Sequence, residues 1–178
     1  MPRPFDVSTA SPATVDQVHA AFADQDYWHA RLAEYGGGSI SLDSLVVDAG
    51  SVVVATIQDL RNDVLPALIA KAVPGDLKVL RTETWRVISD EGLHGDVVIT
   101  TSGAPISGVA TALVSATPAG SLLTFRGTVQ VSVPLIGRQI EKYISSQIVK
   151  EIPGVQRFTT RWISHNGGGI SQNGGADA

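Results

Sequence analysis

The sequence predicts a single α+β domain, in which one antiparallel sheet is followed by one long helix. Two observations lead to this prediction. Turns of regular spacing divide residues 39–133 into strand-like segments, and isoleucines recur every four residues near the end. The strand–helix alternation of a parallel sheet does not occur. A chain of 178 residues suits one such domain and leaves little room for two.

The first 35 residues predict one short strand and two helices. Residues 5–7 alternate between apolar and polar side chains, as a strand does. Ser11 followed by Pro12 is typical of a helix start, and Asp24 or Asp26 begins a second helix. The apolar face of this second helix carries Trp28, Leu32 and Tyr35.

The middle of the chain predicts an antiparallel meander interrupted by one helical flap. Residues 63–73 have helical spacing and form the flap, which we expect to cross the open side of the sheet. Its apolar side chains are predicted to form a lid: Leu65, Leu68 and Ile69. The predicted strands are residues 40–47, 51–60, 77–88, 93–101, 106–116 and 122–133.

The last predicted element is a helix over residues 134–164. Its apolar stripe begins with five isoleucines spaced four residues apart, and Pro153 is expected to kink or break it. Residues 166–178 are rich in glycine and are predicted to be a disordered tail, so that the domain covers residues 1–165.

The composition excludes several classes of function. Without cysteine there is no disulfide, iron–sulfur cluster or thiol nucleophile, and a formal net charge of −4 argues against a nucleic-acid partner. The apolar runs are far shorter than the ~18 residues of a membrane span, and no signal peptide is visible. We therefore expect a soluble, cytoplasmic protein without an integral membrane segment. The oligomeric state stays open.

Three local motifs add a resemblance to a known family. They are residues 81–85 (RTETW), 102–105 (SGAP) and 133–141 (VPLIGRQIE). Together with the order of elements over residues 3–164, they resemble the START-like (Bet v 1-like, SRPBCC) helix-grip superfamily and, within it, an actinobacterial family of unknown function. The resemblance implies a curved sheet of about seven strands around the C-terminal helix, with a cavity between them. It implies no particular chemistry, because this fold hosts carriers, receptors and cyclases.

The strand over residues 77–88 carries the most informative polar residues. Its more apolar face is formed by the odd-numbered positions, which places Arg81, Glu83 and Trp85 inward. Buried opposite charges must be paired. A structural ion pair is the favoured interpretation, and a polar anchor for a ligand carboxylate, hydroxyl or carbonyl is the alternative. Glu83 is also the candidate catalytic group, since general acid–base chemistry needs a titratable side chain at the substrate.

The other predicted cavity residues come from the last strand and the long helix. We expect a cavity of a few hundred Å³, the usual scale of a ligand site. The four histidines are scattered without metal-ligand spacing, so no metal and no cofactor is predicted. The remaining lining residues are predicted to be Leu123, Phe125, Ile140, Tyr143, Ile144 and Gln147.

Three functions are compatible with these features. The favoured one is binding or transport of a hydrophobic small molecule, such as a lipid, a sterol-like molecule or a polyketide, in the predicted cavity. The second is an enzyme of the polyketide cyclase or aromatase type that uses the same cavity. The third is an interaction protein whose interior is filled by its own side chains. A binding protein is favoured over an enzyme because no acid–base cluster is apparent.

Overall fold

The computed structural model describes residues 2–89 and 92–167 of the chain. Within these ranges there are seven strands and four α-helices, and a 3-10 turn (Asn62–Val64) precedes the third helix. In chain order the elements are β1 (Arg3–Ser11), α1 (Val15–Phe22), α2 (Gln25–Tyr35), β2 (Ile40–Asp48), β3 (Ser51–Leu60), α3 (Ala67–Ala70), β4 (Leu77–Ile88), β5 (Gly92–Ser102), β6 (Ile106–Thr117), β7 (Gly120–Val131) and α4 (Gly137–Asn166).

The seven strands form one sheet in the order β1-β7-β6-β5-β4-β3-β2. All neighbours are antiparallel, so the predicted fold class is confirmed. Strands β2 to β7 form the predicted meander. The connection through α1 and α2 separates β1 from β2 and lets β1 pair with β7 at the other edge of the sheet. No helix of the described ranges is long and apolar enough to cross a lipid bilayer.

One face of the sheet forms the core with the helices. On β4, Glu83 and Trp85 are buried, and on β7, Leu123, Phe125 and Val129 are buried. Their even-numbered neighbours are exposed or half-buried, so the predicted inward faces of both strands are confirmed. Helix α4 packs mainly against β1 and β7 and covers this inner face.

The start of the first helix differs from the prediction. Thr14 is the N-cap of α1: its hydroxyl accepts from the Gln17 amide, and the Gln17 side chain accepts from the Thr14 amide. Ser11 instead ends β1, where its hydroxyl accepts from the Ala13 amide. The two hydrogen bonds between Thr14 and Gln17 satisfy two backbone donors at once, which a cap at Ser11 would not do. For α2, Asp24 is the N-cap, one of the two predicted residues.

The helix in the predicted flap is shorter than the predicted span of residues 63–73. Pro66 precedes α3 as its N-cap residue, and α3 is a single turn. The Asn62 side chain donates to the Val73 and Gly75 carbonyls and ties the two ends of this segment together. Leu65 and Ile69 are buried and Leu68 is half-buried, all against the hydrophobic core.

Helix α4 begins three residues after Pro134, because residues 134–136 form a turn in which Leu135 has a φ of 68°. The helix continues through Pro153 without a break. Proline removes the hydrogen bond to the Val149 carbonyl. Val149 is exposed, so water can reach this part of the helix. Of the predicted tail, Asn166 is the last residue of α4 and Gly167 is its C-cap, and residues 168–178 lie outside the described residues.

Candidate functional site

Glu83 lies at the centre of a buried polar cluster on the inner face of β4. Both of its neighbours on that face contact its carboxylate. Arg81 donates from Nε to Oε1 at 2.7 Å, and Trp85 donates from Nε1 to Oε2 at 3.0 Å. The Glu83 side chain is only 4% exposed, whereas that of Arg81 is 29% exposed. The predicted inward pair therefore exists, and the indole completes it.

Helix α2 brings a second arginine to the same carboxylate. Arg31 Nη2 lies 3.8 Å from Glu83 Oε1, too far for a hydrogen bond but close enough for an ion pair. The guanidinium carbon lies over the Trp28 ring, 4.9 Å from its centroid, and the Arg31 side chain is 13% exposed. Tyr27, beside it on α2, is fully buried and shares a hydrogen bond of 2.7 Å with the Thr159 hydroxyl.

These contacts fix the charge of each group. Burial alone would raise the pKa of Glu83, but Arg81, Arg31 and the Trp85 N–H outweigh it and lower that pKa below 4.5. Burial raises the pKa of Tyr27 above 10.0, so its phenol stays protonated at neutral pH. The cluster therefore holds two guanidinium groups and one carboxylate.

The cluster forms the polar wall of a pocket of about 140 Å³ between α2, the sheet and α4. Arg31, Arg81 and Glu83 supply its charge from the inside, and Glu151 stands on the exposed face of α4. The other lining side chains are mainly apolar: Trp28, Leu32, Tyr35, Ile40, Thr56, Ile148, Ile152 and Val155. We call this the charged pocket.

A smaller and more apolar pocket lies further along the same interface. It measures about 60 Å³, and its lining includes Phe125 and Ile144. We call it the apolar pocket. Arg81 and Ile148 line both pockets and therefore stand between them. Neither pocket reaches the predicted few hundred Å³, because core side chains occupy much of the space between α4 and the sheet.

Four predicted lining residues border one or both pockets: Arg81, Glu83, Phe125 and Ile144. Trp85 lies behind Glu83 and packs on Phe22, with ring centroids 4.7 Å apart. The other four predicted lining residues border neither pocket and belong to the core or its edge: Leu123, Ile140, Tyr143 and Gln147. The predicted lid residues Leu65, Leu68 and Ile69 also border neither pocket.

Sequence reasoning did not include the contribution of α2. It placed Trp28, Leu32 and Tyr35 on one helix face but assigned that face no role at the site. Arg31 follows Trp28 by three residues, which puts both on neighbouring turns of this face. A charged residue on an otherwise apolar helix face was the available signal.

A wide concavity of about 850 Å³ lies on the opposite face of the sheet. Exposed Val98 and Val109 contribute to its floor, and its arginine, Arg126, forms an exposed ion pair with Asp6. Because its charged residues are solvated, we place the candidate site at the buried cluster instead. Among the described residues, no group of three histidine or acidic side chains is placed to hold a metal ion.

The arrangement favours holding a ligand over acid–base chemistry. A general base works best when its pKa lies near the working pH. The arginines lower the pKa of Glu83, so the carboxylate is a weak base, and both of its oxygens already accept hydrogen bonds. Two guanidinium groups beside an apolar wall are instead typical of a site for a polar or anionic group.

Comparison with known proteins agrees with the fold. The protein TTHA0849 of Thermus thermophilus superposes with a TM-score of 0.60 at 12% identity, covering 92% of this chain and 98% of that one. Norcoclaurine synthase from Thalictrum flavum, in complex with dopamine and hydroxybenzaldehyde, gives a TM-score of 0.55 at 12% identity, with 93% and 89% covered. At these identities the likeness shows the fold, which is the Bet v 1-like helix-grip fold.

Sequence comparison identifies the family. An uncharacterized protein of Mycobacterium tuberculosis strain H37Rv is 38% identical over 173 residues, which are 93% of this chain and 99% of that protein. The model of one family matches residues 6–163, nearly the whole helix-grip domain. The chain therefore belongs to the family described as "Protein of unknown function (DUF2505)".

Proposed function

We propose that this protein binds a small hydrophobic molecule between α4 and the inner face of the sheet. The observation behind the proposal is the pair of pockets separated by Arg81 and Ile148, one apolar and one with a buried charged wall. A ligand site combines an apolar lining with a few placed polar groups, and this interface has both. Norcoclaurine synthase, in complex with two small aromatic molecules, is a precedent on the same fold.

The size of the pockets limits how such a ligand could bind. Drug-sized ligands occupy about 300–1,000 Å³, more than either pocket offers. A longer ligand would need the two pockets to join, which requires a shift of the Arg81 or Ile148 side chain between them. The ligand is therefore small, or its binding shifts one of these side chains and widens the interface.

The two other candidate functions have weaker support. A cyclase or aromatase would need a group that exchanges protons, and the lowered pKa of Glu83 opposes that role. The small pocket volumes favour an interaction protein with a filled interior. A filled interior does not, however, explain why two arginines surround one buried glutamate.

A fluorescent, uncharged probe tests the proposal. Titration with N-phenyl-1-naphthylamine should give saturable binding at micromolar concentrations. Ile148→Phe puts a larger side chain between the pockets and should weaken binding about tenfold or more. Val149→Phe is the matched control, because Val149 is the next residue of α4 and is exposed. Absence of binding, or equal weakening by both variants, would contradict the proposal and favour the filled-interior protein.

A further inference from the structure

The charged pocket has more buried positive than negative charge. Glu83 is the carboxylate between the two arginines, and it already accepts hydrogen bonds from Arg81 and Trp85. Arg31 lies 3.8 Å away, so its guanidinium has donors that Glu83 does not take up. A largely buried charge without a hydrogen-bonded counter-ion is costly, which makes Arg31 the group that a ligand would satisfy.

Among the described residues at the pocket, no second carboxylate pairs with Arg31. The Tyr27 phenol beside it is a hydrogen-bonding neighbour of the guanidinium, but it brings no negative charge because burial raises its pKa. Glu151 also lines the pocket, but it stands on the exposed face of α4 and, within the described part of the chain, forms no ion pair shorter than 4.0 Å with either arginine. Trp28 holds the guanidinium in place by a cation–π contact. Arg31 is therefore oriented at the pocket wall and incompletely paired.

The rest of the pocket lining indicates the chemistry of the uncharged part of a ligand. Opposite the arginines, Ile148 and Ile152 present an apolar strip of α4, and Ile148 continues into the apolar pocket beside Ile144 and Phe125. A molecule with its charged end at Arg31 would thus have its apolar part against α4. The apolar pocket continues from this strip on the far side of Arg81 and Ile148.

Resting on the proposed function, we infer that the ligand is a small amphiphile with a carboxylate. The acid pairs with Arg31 and with the Arg81 donors left free by Glu83, and the apolar part lies along Ile148. A planar carboxylate matches the planar fork of a guanidinium, and charge-assisted hydrogen bonds of this kind are about twice as strong as neutral ones. Glu83 holds Arg81 in place, and Trp28 holds Arg31.

Two probes with the same chain and different ends test this inference: octanoate and 1-octanol, titrated calorimetrically into the full chain. We expect octanoate to bind about tenfold or more tightly than octanol, because the acid gains charge-assisted hydrogen bonds. Arg31→Gln should remove most of this preference. The control is Arg86→Gln, on the same sheet but with its side chain 56% exposed on the opposite face, and it should keep the preference.

The outcomes separate the inference from the proposed function. Equal affinity for octanoate and octanol would overturn the carboxylate assignment and leave hydrophobic binding intact, whereas no binding of either would overturn both. A preference that survives Arg31→Gln would place the acid elsewhere and overturn the inference. Tighter binding of octyl phosphate than of octanoate would replace the carboxylate by a phosphate. Should Arg31→Gln fail to fold, Arg31→Lys keeps the charge without the planar fork, and we expect it to bind octanoate more weakly but still prefer it to octanol.

Discussion

Strand β4 contributes the arginine to two arginine–carboxylate pairs of nearly equal length on opposite faces of the sheet, and the carboxylate of the outer pair lies on β5. Inside, Arg81 and Glu83 meet at 2.7 Å, and outside, Arg86 and Asp96 meet at 2.8 Å. The side chains of the inner pair are 29% and 4% exposed, and those of the outer pair are 56% and 40% exposed. Water stabilises the charges of the outer pair, whereas the buried carboxylate of the inner pair depends on its protein partners.

The comparison shows that the distance between two charged atoms does not measure how much their pair contributes to stability. The outer pair can be broken at little cost, since water replaces each partner. Breaking the inner pair leaves a charge in a wall built by α2, β4 and α4. This wall is also where the pocket lies, so stability and binding depend on the same residues. The predictions below test this difference from the largest effect to the smallest.

Glu83→Gln should cause the largest loss of stability. It removes the carboxylate from between Arg81 and Arg31, and breaking a buried pair costs about 3–5 kcal/mol. Asp96→Asn, the matched change on the outer face, should cost less than about 1 kcal/mol. Free energies of unfolding from urea titration measure both variants. Similar losses for the two would mean that the inner pair is as well solvated as the outer pair.

Gly95→Ala should destabilise the folded protein by displacing the Trp85 indole, which donates a hydrogen bond to Glu83. Gly95 lies opposite Trp85 on β5, and an added Cβ would approach three atoms of the indole ring to 2.5–2.8 Å. Because Trp85 is buried against Phe22, we expect a loss of about 1–3 kcal/mol.

The control for this change is Gly108→Ala, in the neighbouring strand β6. Its added Cβ would make an ordinary contact with the Thr128 carbonyl oxygen at 3.4 Å. We expect a change in the free energy of unfolding within about 0.5 kcal/mol. Near-UV circular dichroism should change for Gly95→Ala and not for the control. Equal stability of both variants would show that the Trp85 ring moves freely.

Removing both charges of the inner pair should recover part of the loss. In Arg81→Met with Glu83→Gln, neither a stranded carboxylate nor a stranded Arg81 remains, so about half of the Glu83→Gln loss should return. Recovery stays incomplete because Arg31 still faces the altered position. Full recovery, measured by the same urea titrations, would mean that Arg31 does not interact with Glu83.

Acid should reduce the stability difference between the wild type and Glu83→Gln. The pKa of Glu83 is lower in the folded protein than its ordinary value of 4.5. Its ionisation therefore stabilises the fold above that pH, and this contribution is lost as the pH falls through the lowered folded pKa. The difference should shrink by at most about 1.4 kcal/mol per pH unit. A difference that stays constant down to about pH 3 would contradict the lowered pKa.

Local patterns determined most of the fold and part of the site. Alternation along β4 and β7 identified the inward residues, because successive strand side chains point to opposite faces. The turns separated the strands, and the isoleucine spacing identified α4. The same alternation brought Arg81, Glu83 and Trp85 to one face, where their side chains can reach one another.

Only the tertiary structure decided what meets that face. Arg31 and Glu83 are 52 positions apart in the sequence, and no local rule sets how α2 docks across the sheet. The size of the pockets depends on how closely α4 packs, which is a sum over many side chains rather than a property of a motif. The sequence therefore determined which residues point inward, and packing decided that two arginines share one buried carboxylate beside a small pocket.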